Sequence, residues 1–278
     1  MAKGAKKKRT AELDLATIGG LIIALGAMGG GLVLEGGSIK DIGQFTAAII
    51  VIGGTIGAVM VNTPVPVLKG GMKRLTTVFR HEDVSASDIC EEIIGYATKA
   101  RKNGIVSLEQ DASEIEDPFL KKALNLAVDG ADLQELRKMM ELEMGVEEQR
   151  AESEARVFES AGGYSPTIGI IGAVMGLIQV MKHLANIDEV GRGIAVAFVA
   201  TVYGVALANV FFLPVANKIK ARAHRETELR EMILEGVVGI VEGLNPKLIR
   251  TKLEVYSRNE HSKPKLLPGR EPSKEQAA

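Results

Sequence analysis

Four stretches of this sequence, residues 15–34, 42–68, 160–181 and 193–217, contain no Asp, Glu, Lys, Arg or His. The 34 basic and 35 acidic residues therefore crowd into the rest of a 278-residue chain. A bilayer core needs about 20 apolar residues per helical span, and each stretch is long enough. Charge segregation this sharp excludes an ordinary water-soluble domain. A membrane barrel would instead show short segments alternating in polarity. The expected fold class is all-α: a polytopic membrane protein with four transmembrane helices and a large helical cytoplasmic region.

The net charge of −1 averages apolar segments with strongly charged ones and carries no nucleic-acid signature. Cys90 is the single cysteine, and His81, His183, His224 and His261 are scattered, so neither a disulfide nor a metal cluster is expected. No phosphate-binding glycine loop or nucleophile elbow occurs in the charged regions. An enzyme held by membrane anchors has little support, and no cofactor is implied.

Hydropathy and breaker residues divide the chain into five parts. Residues 1–14 are a basic N-terminus with Lys3, Lys6, Lys7, Lys8 and Arg9. Residues 15–62 hold the first two spans, joined by Glu35–Asp41, a link short enough to force an antiparallel hairpin. A basic start before an apolar run also suits a signal peptide, but this run exceeds an h-region and leads at once into a second span. The Thr63-Pro64-Val65-Pro66 run ends the second span near Asn62. Residues 63–159 form a cytoplasmic helical domain, with one helix from about Asp88 to Lys102 capped by Ser85 or Ser87. Asn103-Gly104 stops it. A second helix is expected over Pro118–Val128, and a third from Asp132 into Glu141–Glu159. Residues 160–217 hold spans three and four, at about 164–181 and 193–217. Residues 218–278 give a charged helix to about Glu242 and a Pro-, Lys- and Glu-rich tail expected to be disordered from His261.

Lys and Arg beside the spans set the orientation. The N-terminal flank, Lys69–Arg80 and Lys218–Arg225 are rich in them, whereas the two short links carry only Lys40, Lys182 and Arg192. Both termini and the middle region are therefore expected in the cytoplasm.

Apart from Tyr164 and Tyr203, the spans hold no ionisable side chain. Intramembrane carboxylates mark ion relays, because a costly charge persists there only for function. This chain can wall a pathway, but a partner must bring the group that carries the ion; the plain alternative is four helices that only anchor the charged domain. Small residues recur four apart at Gly26/Gly30, Gly53/Gly57, Gly172/Gly176 and Ala200/Gly204/Ala208. That spacing lets membrane helices approach closely, within one protomer or between copies. Polar positions in the second pair of spans are fewer and more specific: Thr167, Thr201, Tyr203 and Asn209, with Pro166 and Pro214. A membrane proline permits a kink and is either a hinge or merely tolerated. Thr201 can equally bond back to its own helix.

The run Pro166-Thr167-Ile168-Gly169-Ile170-Ile171-Gly172-Ala173-Val174-Met175-Gly176-Leu177 resembles the third span of MotA-type flagellar stator subunits. The run Gly193 to Gly204, continuing through Ala208-Asn209 to Pro214, resembles their fourth span. Gly36-Gly37-Ser38, Ala100-Arg101-Lys102 with Gly104 and Ser107-Leu108-Glu109, and Asn245-Pro246-Lys247 match as well. The resemblance covers about residues 13–256 and sets this chain in the MotA/TolQ/ExbB superfamily.

The resemblance implies a homo-oligomer, five copies around a MotB-type dimer that supplies the missing membrane aspartate, in the bacterial inner membrane. Ion flow through that complex would turn the flagellar rotor. Thr201 and Ala173 would line the ion path, Pro166 and Pro214 would couple ion passage to movement, and Arg101 and Glu109 would face the rotor protein FliG. Sodium-driven stators carry a Thr at the position of Ala173, and Ala offers no oxygen ligand, so protons are the expected ion. The competing reading is an energising or scaffold subunit of another envelope or defence machine, of the ExbB or TolQ type. Those relatives have one span before the large cytoplasmic region, where this chain has two.

Overall fold

A computed structural model describes residues 12–81 and 85–261. The basic N-terminus and the tail expected to be disordered lie outside the described residues. The chain is helical almost throughout. β1 (Glu12–Leu13) pairs antiparallel with β2 (Arg80–His81), the one departure from helix among the described residues.

α1 (Leu15–Leu34) is the first span, started by the Asp14 carboxylate, which accepts from Thr17 N–H at 3.0 Å. A short 3₁₀ turn (Ile39–Ile42) with a Ser38/Asp41 capping box leads into the second span. That span comprises α2 (Phe45–Ala48), a π-helical turn (Ile49–Gly53) and α3 (Gly54–Asn62), and stops before Pro64. α4 (Val65–Val78) follows, with Pro66 in its first turn, where a missing N–H costs nothing.

α5 (Ala86–Asn103) is capped by Ser85 and closed by Gly104. A 3₁₀ turn (Ile105–Leu108), α6 (Glu109–Glu114) and α7 (Pro118–Val128) come next, α7 opened by the Asp117 side chain. α8 (Leu133–Lys182) then runs for 50 residues. The third helix, expected from Asp132 into Glu141–Glu159, and span three are therefore one helix. Gly162 and Gly163 do not break it, and Gly162 lets Leu213 pack where a Cβ would stand only 2.6 Å from Leu213 Cδ2. Pro166 lies inside, tolerated because only one ladder bond, to the carbonyl of Gly162, is lost.

α9 (Ile187–Ala206) begins earlier than the expected start of span four at 193, because the Asn186 side chain caps it. A second π-helical turn (Leu207–Phe212) joins it to α10 (Leu213–Val241), so span four and the charged helix after it also run on. The π turn ends just before Pro214, and Leu213 N–H already reaches five residues back, to Ala208 O. Both π turns are features that hydropathy does not reveal. α11 (Pro246–His261) closes the described chain.

The described residues form two compact units. The first takes the part up to Asp83 with Glu143–Thr227, and contains all four spans. Its larger apolar cluster gathers Val59, Val78, Phe158, Ala161, Val215 and Ile219; a smaller one joins Ala47 and Val51 of span two to Val199 and Ala200 of span four. The second takes Val84–Leu142 with residues from Glu228 onward. Its interior holds Ile93, Leu108, Leu120, Leu124, Leu136, Met140, Met232, Ile233, Ile249 and Leu253. Gly236 lets α10 press against Ile93 and Leu253, and Arg137 pairs with Glu235 at 2.8 Å.

Candidate functional site

Spans three and four pack backbone to backbone. A Cβ added at Gly176 would stand 2.8 Å from Gly193 O and 2.9 Å from Ala197 N. At Gly172 it would stand 2.8 Å from Ala200 Cβ, and at Gly169 2.8 Å from Ala200 O. From the other side, a Cβ at Gly204 would meet Ser165 O at 2.6 Å and Pro166 Cα at 3.2 Å. Only glycine fits where main chains come this close. Ser165, fully buried, donates its hydroxyl to Gly204 O at 3.0 Å and so adds a polar stitch between the two spans.

Span two lies against the same crossing. Gly54 accommodates Ile168, and Ile50 packs against Gly172. Tyr203 donates its hydroxyl to Ile42 O, tying span four to the turn before span two.

Pro166 is half-buried and seated against Gly204. Thr201 is half-buried beside Gly169, its Cα 3.5 Å from the point a Cβ on that glycine would occupy. The Thr201 hydroxyl donates to Ala197 O at 3.2 Å, which leaves its oxygen lone pairs as the group it can offer outward. Ala173 is half-buried one turn beyond Gly169, and Pro214 is exposed at the start of α10. The glycine crossing thus brings Pro166 and Thr201 into one place. Arg101 and Glu109 belong to the second unit, Arg101 exposed in the last turn of α5 and Glu109 exposed at the first residue of α6. Lys99 and Asp111, 2.6 Å apart, tie α5 to α6 and fix that stretch. Neither Arg101 nor Glu109 makes an ion pair among the described residues.

Two charge clusters escaped the sequence reading. Asp14, mostly buried at the foot of span one, faces Lys218 Nζ at 2.5 Å and Arg222 Nη2 at 2.9 Å. The Lys218 hydrogen bond, helped by the Thr17 N–H, holds its carboxyl far below the usual carboxylate range against the opposing effect of burial. Arg222 also donates to Arg80 O at 2.6 Å and Val78 O at 3.1 Å, so one guanidinium binds the foot of span one to the end of α4. Glu154 is buried on α8 and pairs with Arg74 and, at 3.2 Å, with Arg150. It fills the space that Gly70 leaves open. Arg150 and Glu154 are an i,i+4 pair, but Asp14 with Lys218 and Arg222, and Glu154 with Arg74, are too far apart along the chain to leave a local signal.

The chain matches two family profiles, "Motility protein A N-terminal" over residues 18–104 and "MotA/TolQ/ExbB proton channel family" over residues 111–232. It is 36% identical over 249 residues to the motility protein A of Bacillus subtilis, covering 88% of this chain and 91% of that one. The structure is similar to that of the C. jejuni MotAB, with a TM-score of 0.86 at 32% identity over 92% of this chain and all of the other. It is also similar in fold to the flagellar MotAB stator complex of Bacillus subtilis, with a TM-score of 0.83 at 35% identity over 90% of this chain and all of that chain. A tightly crossed span pair without a charge of its own, following a two-span hairpin, agrees with those matches: this chain belongs to the MotA/TolQ/ExbB proton channel family and is a flagellar stator subunit of the MotA type.

Proposed function

We propose that several copies of this chain, five in number, surround a MotB-type dimer in the bacterial inner membrane and form with it a proton path that drives the flagellar rotor. Two solved structures that this chain resembles are MotAB complexes, which supports a partner of that type. The observation that carries the reading is the crossing of spans three and four, close-packed, free of acidic and basic side chains, with the Thr201 hydroxyl at its edge. Such a wall offers polarity to a moving proton but no group to hold one, so the partner's aspartate does that work.

In this assignment Thr201 and Ala173 line the path. A hard cation such as sodium needs several oxygen ligands at once, and Ala173 supplies none. Pro166, wedged beside Gly204, and Pro214, just past a π turn, are the places where passage of the ion changes the helix course. The basic flanks put both termini and the second unit in the cytoplasm, where Arg101 and Glu109 face FliG. Their unpaired charges steer and register the rotor more than they add affinity. The chain acts as a channel wall and torque arm and not as an enzyme.

The test is ion dependence in a strain that swims only with this chain and its partner. Swimming should stop when the proton gradient collapses and persist when potassium replaces sodium. Speed that scales with external sodium at a fixed proton gradient overturns the proton assignment. Vesicles holding this chain alone should show no proton leak, and a leak there overturns the need for the partner.

A further inference from the structure

Three helices of the second unit end at one place. α5, α7 and α10 close on Gly104, Gly130 and Gly243, with φ of +83°, +77° and +69°, a region that side chains with a Cβ avoid. Ala131 N–H donates back to Leu126 O and Leu244 N–H to Gly239 O, each at 3.0 Å, and Gly104 N–H to Ala100 O at 2.8 Å. These caps consume carbonyls that would otherwise make the helix ends anionic.

What remains between the three ends is a cavity of about 430 Å³, open to solvent. Ala97, Ala100, Ala127, Ala131, Val241 and Leu244 wall it, and Arg101 stands among them. The cavity joins two sequence motifs far apart in the chain: Ala100-Arg101-Lys102, and the Asn245-Pro246-Lys247 run that follows Leu244 directly. Ala97 and Ala100 on α5, Ala127 on α7 and Ala131 in the turn after it are the reason it is unfilled, since larger residues there would close it. An apolar hollow beside an exposed cation with no ion pair is built for a side chain that comes with its own carboxylate.

We propose that this cavity is a docking pocket for one apolar side chain of the rotor protein, presented next to a carboxylate that pairs with Arg101. The inference rests on the assignment of Arg101 to the rotor face and adds the occupant of the space behind it. Charge alone gives register and speed of encounter, and a buried apolar anchor gives grip. Glu109 lies outside the cavity wall and keeps a steering role.

Filling the cavity tests the proposal without touching a charge. Ala131→Leu and Ala100→Leu approach from two sides, the turn after α7 and helix α5, and each is made in the full chain with its partner. Both should leave membrane abundance and partner assembly unchanged and weaken rotor engagement about 30-fold, the loss of one central anchor. The readouts are bead-assay torque and the number of stator units on a motor at limiting expression. Shortening one apolar rotor side chain that lies beside an acidic residue should lessen the defect of the filled variants. Normal torque in either variant that accumulates normally overturns the pocket. If Arg101→Glu still abolishes torque in that case, the rotor-face assignment stands; if it too is normal, that assignment falls with the pocket.

Discussion

Spans one and four carry the same small-residue spacing and use it in opposite ways. In α9, Gly193 and Gly204 touch the backbone of α8, and an added methyl group has nowhere to go. In α1, an added Cβ at Gly19, Gly20, Gly26, Gly29, Gly30 or Gly31 meets nothing within 4 Å, and no residue of the helix is buried. Gly53 and Gly57 of span two are open in the same way. Spacing alone therefore does not say whether a glycine serves the protomer or its surroundings. In this molecule the crossing glycines of the later pair of spans are packed within the chain. The first span is held at its foot by the Asp14 cluster and otherwise leaves its small residues outward.

The sharpest way to break the comparison is an isopropyl-for-hydrogen contrast between the two spans. Gly204→Val should destabilise the protein by about 3 kcal/mol or more, since the obstacles are the main chain of Ser165 and Pro166 and cannot rotate away. Gly26→Val should change the stability of the isolated chain by no more than about 0.5 kcal/mol. Thermal unfolding of the detergent-solubilised chain reads both. Equal losses would mean that α1 packs as tightly as α9. In the membrane, Gly26→Val should still reduce assembly between copies if the open face of α1 meets a neighbour, as cross-linking would show.

Next in size is the clamp at the foot of span one. Asp14→Asn should cost about 1.5–3 kcal/mol, the range for hydrogen bonds to charged groups, and should free α1 while spans three and four stay together. Protease accessibility near Leu15 against that near Gly193 would separate the two. The pH dependence has a definite sign. The folded carboxyl lies below its ordinary value, so its stabilisation is complete above about pH 4 and is lost as the pH falls further towards the folded value. An Asp14→Asn variant that keeps the full acid sensitivity of the parent would remove Asp14 as its source.

The smallest effect belongs to Thr201. Its hydroxyl bonds its own helix, so Thr201→Val should alter stability by less than about 0.5 kcal/mol. Proton flux with the partner present should nevertheless fall, and unchanged flux would take Thr201 off the path.

How far these features could be read in advance depended on the range of the interactions behind them. The four spans, the stop at Pro64 and the helix over Pro118–Val128 rest on local rules of hydropathy, proline and capping, and these act within a few residues. The fusion of span three with the charged helix before it was not readable, because Gly162 suggests a break by propensity while Leu213, far along the chain, requires it for packing. The Asp14–Lys218–Arg222 and Glu154–Arg74 clusters were hidden for the same reason. At the candidate site, Thr201 and Pro166 were visible as polar or helix-breaking residues in apolar runs. Their meeting through Gly169 and Gly204 depends on the crossing geometry, which no periodicity encodes.

The two π turns have a further consequence, one of phase. Such a turn amounts to one extra residue in a helix that otherwise advances about 100° per residue. Everything after Phe212 is thus turned by roughly one residue's share of rotation relative to an unbroken continuation of α9. Val215, Ala216 and Ile219 owe their inward direction to that offset. The turn at Ile49–Gly53 sets the heading of Thr55 and Val59 in the same manner. Losing a single residue from either turn would let it close as ordinary α-helix with the following residues still facing as they do, whereas a loss elsewhere in the helix would rotate everything after it by about 100°. These two turns are therefore the places where each helix can gain or lose a residue without changing which face it buries.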